Sequence, residues 1–141
     1  MTLGNKIQEI YKILVKNFNT QGWWPSKTQD ETIFGAILTQ NVAWENVKKA
    51  LKNLELENIL TLKDVFIIQE EKLANLILPA RFSKQKSRYL KEMAQFFKNY
   101  SFDFGTIKKS FTPQELRKTL LELKGVGPET ADTILLYAFY L

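Results

Sequence analysis

Two glycines one residue apart, Gly125 and Gly127, constrain this chain more than any other feature of its sequence. Apolar residues at helical spacing lie on both sides of them, which leaves only the four residues 124–127 for the connection. Glycine permits positive φ and lets another backbone come close without a Cβ in the way. The sequence therefore predicts a helix, a four-residue hairpin and a second helix.

The residues around this hairpin carry the signals of helix starts. Thr112, Pro113 and Glu115 match the N-cap, N1 and N3 positions of a capping box, and Pro128 has the N1 position of the second helix. The pair of helices is predicted over 113–139. Its apolar faces are Leu116, Leu120 and Leu123 before the hairpin, and Ala131, Ile134, Leu135 and Ala138 after it.

The hairpin backbone is a candidate anion site. The N–H groups of Gly125, Gly127 and the following helix start are expected to point outward, in an arrangement suited to a phosphate. An ordinary corner between two helices, closed by glycine at C′, has the same spacing. The spacing alone leaves both interpretations open.

The positive charge lies in the second part of the chain. Residues 1–80 carry nine Lys/Arg and nine Asp/Glu, whereas residues 81–141 carry eleven and six, so the whole net charge of +5 arises there. Between Arg81 and Lys98 the only acid is Glu92. Such asymmetry suits a polyanion partner, and a solvated helix face is the alternative.

No strand-like alternation is sustained anywhere, so the chain is predicted to be all-α. Thr28 and Glu31 predict a capping box for one helix, Trp44 marks the next, and Ser83 is expected to cap a long basic helix. Shorter helices are expected at roughly 56–60, 62–67 and 69–77. An amphipathic first helix is indicated by Ile7, Ile10, Tyr11, Leu14, Val15 and Phe18.

Composition excludes several classes of protein. The chain contains no cysteine, which excludes disulfides and any cysteine-ligated zinc or iron–sulfur cluster within these residues, and we predict no cofactor and no metal site. The N-terminus lacks the apolar region of a signal peptide, and the longest apolar run, 134–141, is too short to span a bilayer. A cytoplasmic protein with no membrane contact is expected.

Three stretches, in this order, resemble the endonuclease III-like helix-hairpin-helix DNA glycosylases. They are Phe34–Asn41 (F-G-A-I-L-T-Q-N), Leu78–Phe82 (L-P-A-R-F) with Lys86 beyond it, and Leu123–Ala131 (L-K-G-V-G-P-E-T-A). The resemblance extends from about Tyr11 to the last residue. It implies a six-helix bundle over 22–141, with residues 1–21 supplying the N-terminal helix of an incomplete second lobe.

The resemblance implies that the partner is double-stranded DNA with a flipped damaged base, and that the hairpin holds a backbone phosphate. Gln40 is expected to insert into the gap left by the flipped nucleotide, and Asn41 to cap the next helix. A helix-end amide pair that satisfies backbone groups is the alternative. The residues expected to contact DNA are Gln40, Asn41, Lys86, Gly125, Val126, Gly127, Glu129 and Thr130.

The tryptophans point to a subgroup of this family. Trp23-Trp24-Pro25 and Trp44 resemble the positions that line the base pocket in the subgroup that includes 3-methyladenine glycosylases. An electron-rich indole attracts a flat cationic base such as a methylated purine. The spacing of Trp44 is equally that of a core residue, and one of the adjacent tryptophans can also be core.

At the chemical centre the sequence departs from the bifunctional members. They carry a lysine two residues past the second hairpin glycine for a Schiff base, and this chain has Glu129 there, so monofunctional hydrolysis is predicted. Together with the tryptophans, this predicts release of alkylated purines. The resemblance implies a catalytic aspartate a few residues after the second hairpin helix, beyond Leu141. No residue of this chain is assigned as catalytic, and the chain alone is expected to be inactive. Asp132 is the other nearby acid.

Two further hypotheses belong to different classes. One is a non-catalytic DNA-binding module that uses the hairpin and the basic helix from Ser83. The other is a helical protein-interaction domain whose basic face is incidental. Because the resemblance implies an incomplete second lobe, the first helix and the apolar end 136–141 are expected to be underburied, which favours self-association.

Overall fold

The structure, a computed structural model, describes residues 2–19 and 24–141. These residues contain α-helices, a 3₁₀ turn at Leu78–Ala80 and a π-helical turn at Ile134–Ala138, with no strand among them, which confirms the all-α class. None of the helices in these ranges is long and apolar enough to cross a membrane. The α-helices are α1 (Leu3–Phe18), α2 (Gln29–Leu38), α3 (Trp44–Leu56), α4 (Leu62–Ile67), α5 (Glu70–Leu76), α6 (Ser83–Lys98), α7 (Phe104–Ser110), α8 (Pro113–Leu121) and α9 (Pro128–Thr133).

The central element is α2. Every residue from Thr32 to Leu38 is buried, because the helix packs against α3, α6 and the C-terminal helical segment. Its N-cap is Thr28, whose side chain accepts a hydrogen bond from the N–H of Glu31 at 3.0 Å. Among the hydrogen bonds of the described residues, the Glu31 carboxylate does not accept from the N–H of Thr28. Half of the predicted capping box therefore forms.

The C-terminal pair of helices starts where predicted, but α8 ends at Leu121, so the connection covers residues 122–127 rather than 124–127, and α9 passes into the π-helical turn at Ile134–Ala138. The Thr112 hydroxyl accepts from the Glu115 N–H at 3.2 Å, and the Glu115 carboxylate accepts from the Thr112 N–H at 2.8 Å, which completes the capping box of α8. Pro128 opens α9, as predicted. The buried residues of the pair are Leu116, Leu120, Thr130, Ala131, Ile134, Leu135 and Ala138.

Several predicted boundaries are wrong. The segment 56–60 is not a separate helix, because α3 continues to Leu56 and Asn58 then turns the chain at φ +58°. Ser83 is the first residue of α6 rather than its cap. The N-cap position is held by Phe82, which makes no side-chain capping bond. The domain boundary predicted between residues 21 and 22 falls within residues 20–23, which lie outside the described residues.

The first helix forms but has no buried residue. Ile7 is 58% exposed, Ile10 57% and Leu14 50%, so the predicted apolar face of α1 is open to solvent. The C-terminal end differs from its prediction, because Phe139 is buried against the core. Only the outward-facing residues of that end, among them Leu136 and Tyr140, stay exposed.

Candidate nucleic-acid interface

The two hairpin glycines are needed for different reasons. Gly125 has φ +78°, and a Cβ added there would lie 2.2 Å from the ring of Tyr89, so both its backbone and its neighbour require glycine. Gly127 has an ordinary φ of −90°, and a Cβ added there would meet nothing within 4 Å. The fold therefore fixes the first glycine, whereas the second leaves open space in front of the backbone.

The hairpin amides are partly available to a ligand. Among the N–H groups of residues 124–127, the described hydrogen bonds pair only that of Val126, which donates to the Leu123 carbonyl at 3.2 Å. The Val126 side chain is buried as well. The predicted DNA contact of Val126 is therefore wrong for its side chain and its amide, because both are used inside the protein. The amides of Gly125 and Gly127 face no acceptor among the described residues.

A cavity of about 420 Å³ lies between the C-terminal end of α2 and the hairpin. Seven of the residues predicted to bind DNA or a base come together in its walls, although they are far apart in sequence. Its lining consists of Trp24, Ala36, Thr39, Gln40, Asn41, Gly125, Gly127, Pro128, Glu129, Thr130 and Thr133. Of the three stretches that resemble the family, 34–41 and 123–131 contribute residues to this lining, whereas 78–82 contributes none.

Gln40 connects the two sides of the cavity. Its amide nitrogen donates to the Gly125 carbonyl at 2.7 Å and to the Thr130 hydroxyl at 3.1 Å. Insertion of Gln40 into a duplex stays a prediction, and it requires that these two hydrogen bonds break. Asn41 is exposed, with φ +54°. The prediction that Asn41 caps α3 is wrong, because the N-cap residue is Ala43.

Lys86 is placed differently from its prediction. Its side chain is 2% exposed, and its ammonium donates to the carbonyls of Leu38 and Ala80, each at 2.7 Å. Leu38 ends α2 and Ala80 ends the 3₁₀ turn, so the cation stabilises the carbonyl ends of two helical segments. Burial lowers the pKa of Lys86 to about 8. This arrangement contradicts a direct DNA contact by Lys86, because its donors point into the protein.

Other cations of α6 also have partners inside the protein. The Lys91 ammonium donates to the carbonyls of Phe66 and Ile68, and burial lowers its pKa. The Lys98 ammonium lies 4.5 Å from the centre of the Phe66 ring. The basic helix is therefore not one continuous positive face, and part of its charge stabilises the contact with α4.

Trp24, Tyr137 and Trp44 form a connected aromatic group, in which Trp24 lines the cavity. The Trp24 ring stacks on Tyr137 at 5.7 Å between centroids and 20° between planes, and it meets Trp44 edge to face at 5.6 Å. Both indoles lie against α2 at Gly35, where an added Cβ would be 3.3 Å from Trp44 and 3.6 Å from Trp24. Trp23 lies outside the described residues.

Within this aromatic group only Trp24 lines the cavity. Trp44 and Pro25 line a separate groove of about 160 Å³, so the structure divides the predicted base pocket into two parts. Tyr137 was missed by the sequence reasoning. Its spacing of seven residues from Thr130 is two helical turns, and this is the signal that places it on the same side of the segment.

The two acids near the hairpin have different environments. Glu129 lines the cavity. Asp132 does not, and its carboxylate accepts two hydrogen bonds from Arg117, at 2.7 Å from Nε and 3.3 Å from Nη2. The hydrogen bond from Arg117 lowers the pKa of Asp132. Asp132 therefore joins α9 to α8, and Glu129 is the carboxylate that the structure brings to the site.

The family of this chain follows from its similarity to known proteins. The model of the HhH-GPD superfamily of base excision DNA repair proteins matches residues 34–132, which include the second half of α2, all of α8, the hairpin and most of α9. The candidate DNA repair glycosylase MJ1434 of Methanocaldococcus jannaschii is 44% identical over 133 residues, which are 94% of this chain and 60% of that protein.

Solved structures give the same fold. The 3-methyladenine DNA glycosylase MagIII of H. pylori, bound to 1,N6-ethenoadenine, has a TM-score of 0.79 and 34% identity, over 97% of this chain and 65% of that one. Endonuclease III in a non-covalent DNA complex has a TM-score of 0.70 and 20% identity, over 99% and 62%. The chain thus spans about two thirds or less of these relatives, and it belongs to the HhH-GPD superfamily of base excision DNA repair proteins.

Proposed function

We propose that this chain carries the hairpin and the base pocket of a monofunctional DNA glycosylase that releases alkylated purines from duplex DNA. One observation carries the proposal: an indole, Trp24, and an open hairpin backbone at Gly127 line the same cavity. A flipped nucleotide needs both, because its phosphate remains on the strand while its base enters a pocket.

The phosphate would bind at the hairpin. The amides of Gly125 and Gly127 face no acceptor in the described part of the chain, and no Cβ at residue 127 blocks the approach of a ligand. Backbone N–H groups in such a turn, followed by a helix start, form a concave anion site. A side chain at residue 127 would fill the space that a phosphate oxygen needs.

The base would lie against Trp24. Tyr137 stacks on this indole, and Trp24 also lines the cavity. A cationic methylated purine gains stacking and a cation–π interaction there. The H. pylori protein, which is 34% identical, is a 3-methyladenine glycosylase solved with an ethenoadenine, which supports a modified purine as the ligand class.

Glu129 supports hydrolysis without strand cleavage. A lyase of this family uses an amine at this position to form a Schiff base, and a carboxylate cannot form one. The expected product is an abasic site in an intact strand. A methylated duplex incubated with a full-length version of the protein should release free base, and strand breaks should appear only after alkaline treatment. Strand cleavage without that treatment would contradict the monofunctional assignment.

The hairpin is tested by DNA binding. Gly127→Val adds a side chain without changing the charge, and it should weaken binding to a duplex that contains an abasic analogue by about tenfold, the effect of losing one charge-assisted hydrogen bond. Gly4→Val in α1 is the matched control, because its Cβ would meet nothing nearer than 3.9 Å. Equal DNA affinities for wild type and Gly127→Val would contradict a phosphate contact at the hairpin and would favour the protein-interaction hypothesis.

A non-catalytic DNA-binding module is the second candidate. It is favoured by the small number of carboxylates at the pocket. Arg117 binds the carboxylate of Asp132 outside the cavity, so Glu129 is the one carboxylate that the described residues bring to the pocket. This hypothesis predicts salt-sensitive duplex binding with no base release. Release of methylated base by a full-length version of the protein, at a rate that falls in Gly127→Val, would exclude it.

We also propose that α1 mediates self-association. Its apolar residues Ile7, Ile10 and Leu14 are at least half exposed and form one face of the helix. A contiguous apolar face of this kind marks an interaction surface. A second copy of the chain offers the same face, and contact between two such helices would bury both.

A further inference from the structure

The turn before α6 contains a backbone conformation that is unusual for its residue. Arg81 has φ +59° and ψ 167°, a region that is essentially restricted to glycine, and Phe82 follows with φ +49°. Strain of this kind persists only where the surrounding structure imposes it, and it is concentrated at functional sites. A large charged side chain at this position therefore needs an explanation.

The turn lies beside the proposed DNA-binding surface. The Ala80 and Leu38 carbonyls accept from the same Lys86 ammonium, each at 2.7 Å, so their oxygens are at most twice that distance apart. Arg81 follows the first of these carbonyls directly. Gln40, which lines the cavity and bonds to the hairpin, is two residues from the second.

A second contact places the start of α6 against the hairpin itself. The ring of Tyr89, one helical turn beyond Lys86, occupies the space in front of Gly125. The start of α6 thus touches α2 through Lys86 and the hairpin through Tyr89. Arg81 precedes this start and is exposed, so its guanidinium can reach solvent beside the cavity.

Arg81 also differs in its charge environment from Lys86, Lys91 and Lys98 of α6. The described residues give its guanidinium no hydrogen bond and no ion pair. Lys86 and Lys91 donate to carbonyls, and Lys98 lies over an aromatic ring. An arginine without internal partners can bind a phosphate with two parallel hydrogen bonds.

We propose that Arg81 is a phosphate-binding residue of the DNA interface, and that its strained backbone directs the guanidinium toward the duplex held by the hairpin. This inference rests on the proposed function. Its site is a second contact to the DNA backbone, separate from the hairpin amides. The strain is kept because the position carries a charge that glycine could not supply.

The test exploits opposite effects of one substitution. Arg81→Gly removes both the strain and the charge, so its thermal unfolding midpoint should rise, while its affinity for duplex DNA should fall by about three- to tenfold. The slope of log K against log salt concentration should decrease by about 0.9, the loss of one phosphate contact. Arg81→Lys should restore most of the slope. A purely structural role would change the midpoint alone.

Arg88→Ala is the matched control, because Arg88 is an exposed arginine that lines the groove between α5 and α6 with Glu70 and Glu71. Its salt slope should equal that of the wild type. An unchanged slope in Arg81→Gly, or an equal loss in Arg88→Ala, would overturn the proposal. If Gly127→Val weakens binding and Arg81→Gly does not, only this inference fails; if the wild type does not bind DNA, the proposed function fails with it.

Discussion

The first helix and the hairpin end of the molecule are both amphipathic helical structures, but their environments are opposite. In α1 no residue is buried, although its apolar side chains have regular helical spacing. Around the hairpin, Gly125 is in contact with Tyr89, and Gln40 and Lys86 each donate to two acceptors. Helical spacing therefore predicts that a helix forms, and it does not predict what covers the apolar face.

The largest effect is expected at Gly125. Gly125→Ala places a methyl group into the Tyr89 ring at a residue with φ +78°, so both overpacking and backbone strain should destabilise the protein. We expect a loss of about 4 kcal/mol in the free energy of unfolding, measured with urea. Gly127→Ala is the control and should change it by less than about 0.5 kcal/mol. Similar losses in both variants would remove the distinction between the two glycines.

Lys86 should produce a large pH dependence of stability. The pKa of its folded form, about 8, is below its ordinary value of 10.5, so the folded state releases this proton first. Stability then increases as the pH rises from 8 to 10.5, by roughly 3 kcal/mol for a shift of this size. The free energy of unfolding of wild type, relative to Lys86→Met, should increase across this range.

The control for this measurement is Lys84→Met, because Lys84 is exposed on the same helix. Its stability should follow that of the wild type through the alkaline range. If the difference in the free energy of unfolding between wild type and Lys86→Met is independent of pH, the ammonium is not buried at the ends of α2 and the 3₁₀ turn. Lys86 would then not distinguish the hairpin end from α1.

A smaller effect is expected at Gln40. Gln40→Ala removes the hydrogen bonds to the Gly125 carbonyl and the Thr130 hydroxyl, and should reduce the free energy of unfolding by about 1 kcal/mol. Gln85→Ala, on the exposed face of α6, serves as control. If Gln40→Ala has wild-type stability, the side chain is not held by the hairpin and is free to insert into DNA.

The smallest effect on folding is expected in α1. The double variant Ile7→Ser and Ile10→Ser changes side chains that are 58% and 57% exposed, so the monomer should lose less than about 0.5 kcal/mol. The proposed self-association should be lost, which analytical ultracentrifugation can measure. A monomeric wild type would refute self-association, and a large loss of monomer stability would show that α1 has a partner within the chain.

Local signals in the sequence predicted local structure well. The Thr112 capping box, the start of α9 at Pro128 and the start of α2 after Thr28 are all confirmed. Each depends on residues within one helical turn, so the sequence alone carries the information. The same holds for the position of the hairpin, which the two glycines mark.

Long-range side-chain geometry was not predictable in the same way. Lys86 was assigned to DNA because it matches a lysine of the family resemblance within a basic stretch, but one of the carbonyls that it binds, that of Leu38, is distant in sequence. Val126 and Tyr137 illustrate the same limit, since the first is buried in the hairpin and the second stacks on a residue more than a hundred positions earlier. Seven of the predicted site residues meet in one cavity, whereas Pro25 and Trp44 line a separate groove.

The open space in front of Gly127 provides a site for attaching a chemical label. The chain has no cysteine, so Gly127→Cys would introduce a single thiol, and its Cβ would meet nothing within 4 Å. A spin label or fluorophore attached there would report from the mouth of the cavity while the rest of the fold stays as it is. The arrival of a nucleic acid could then be followed in real time, without relying on catalytic turnover.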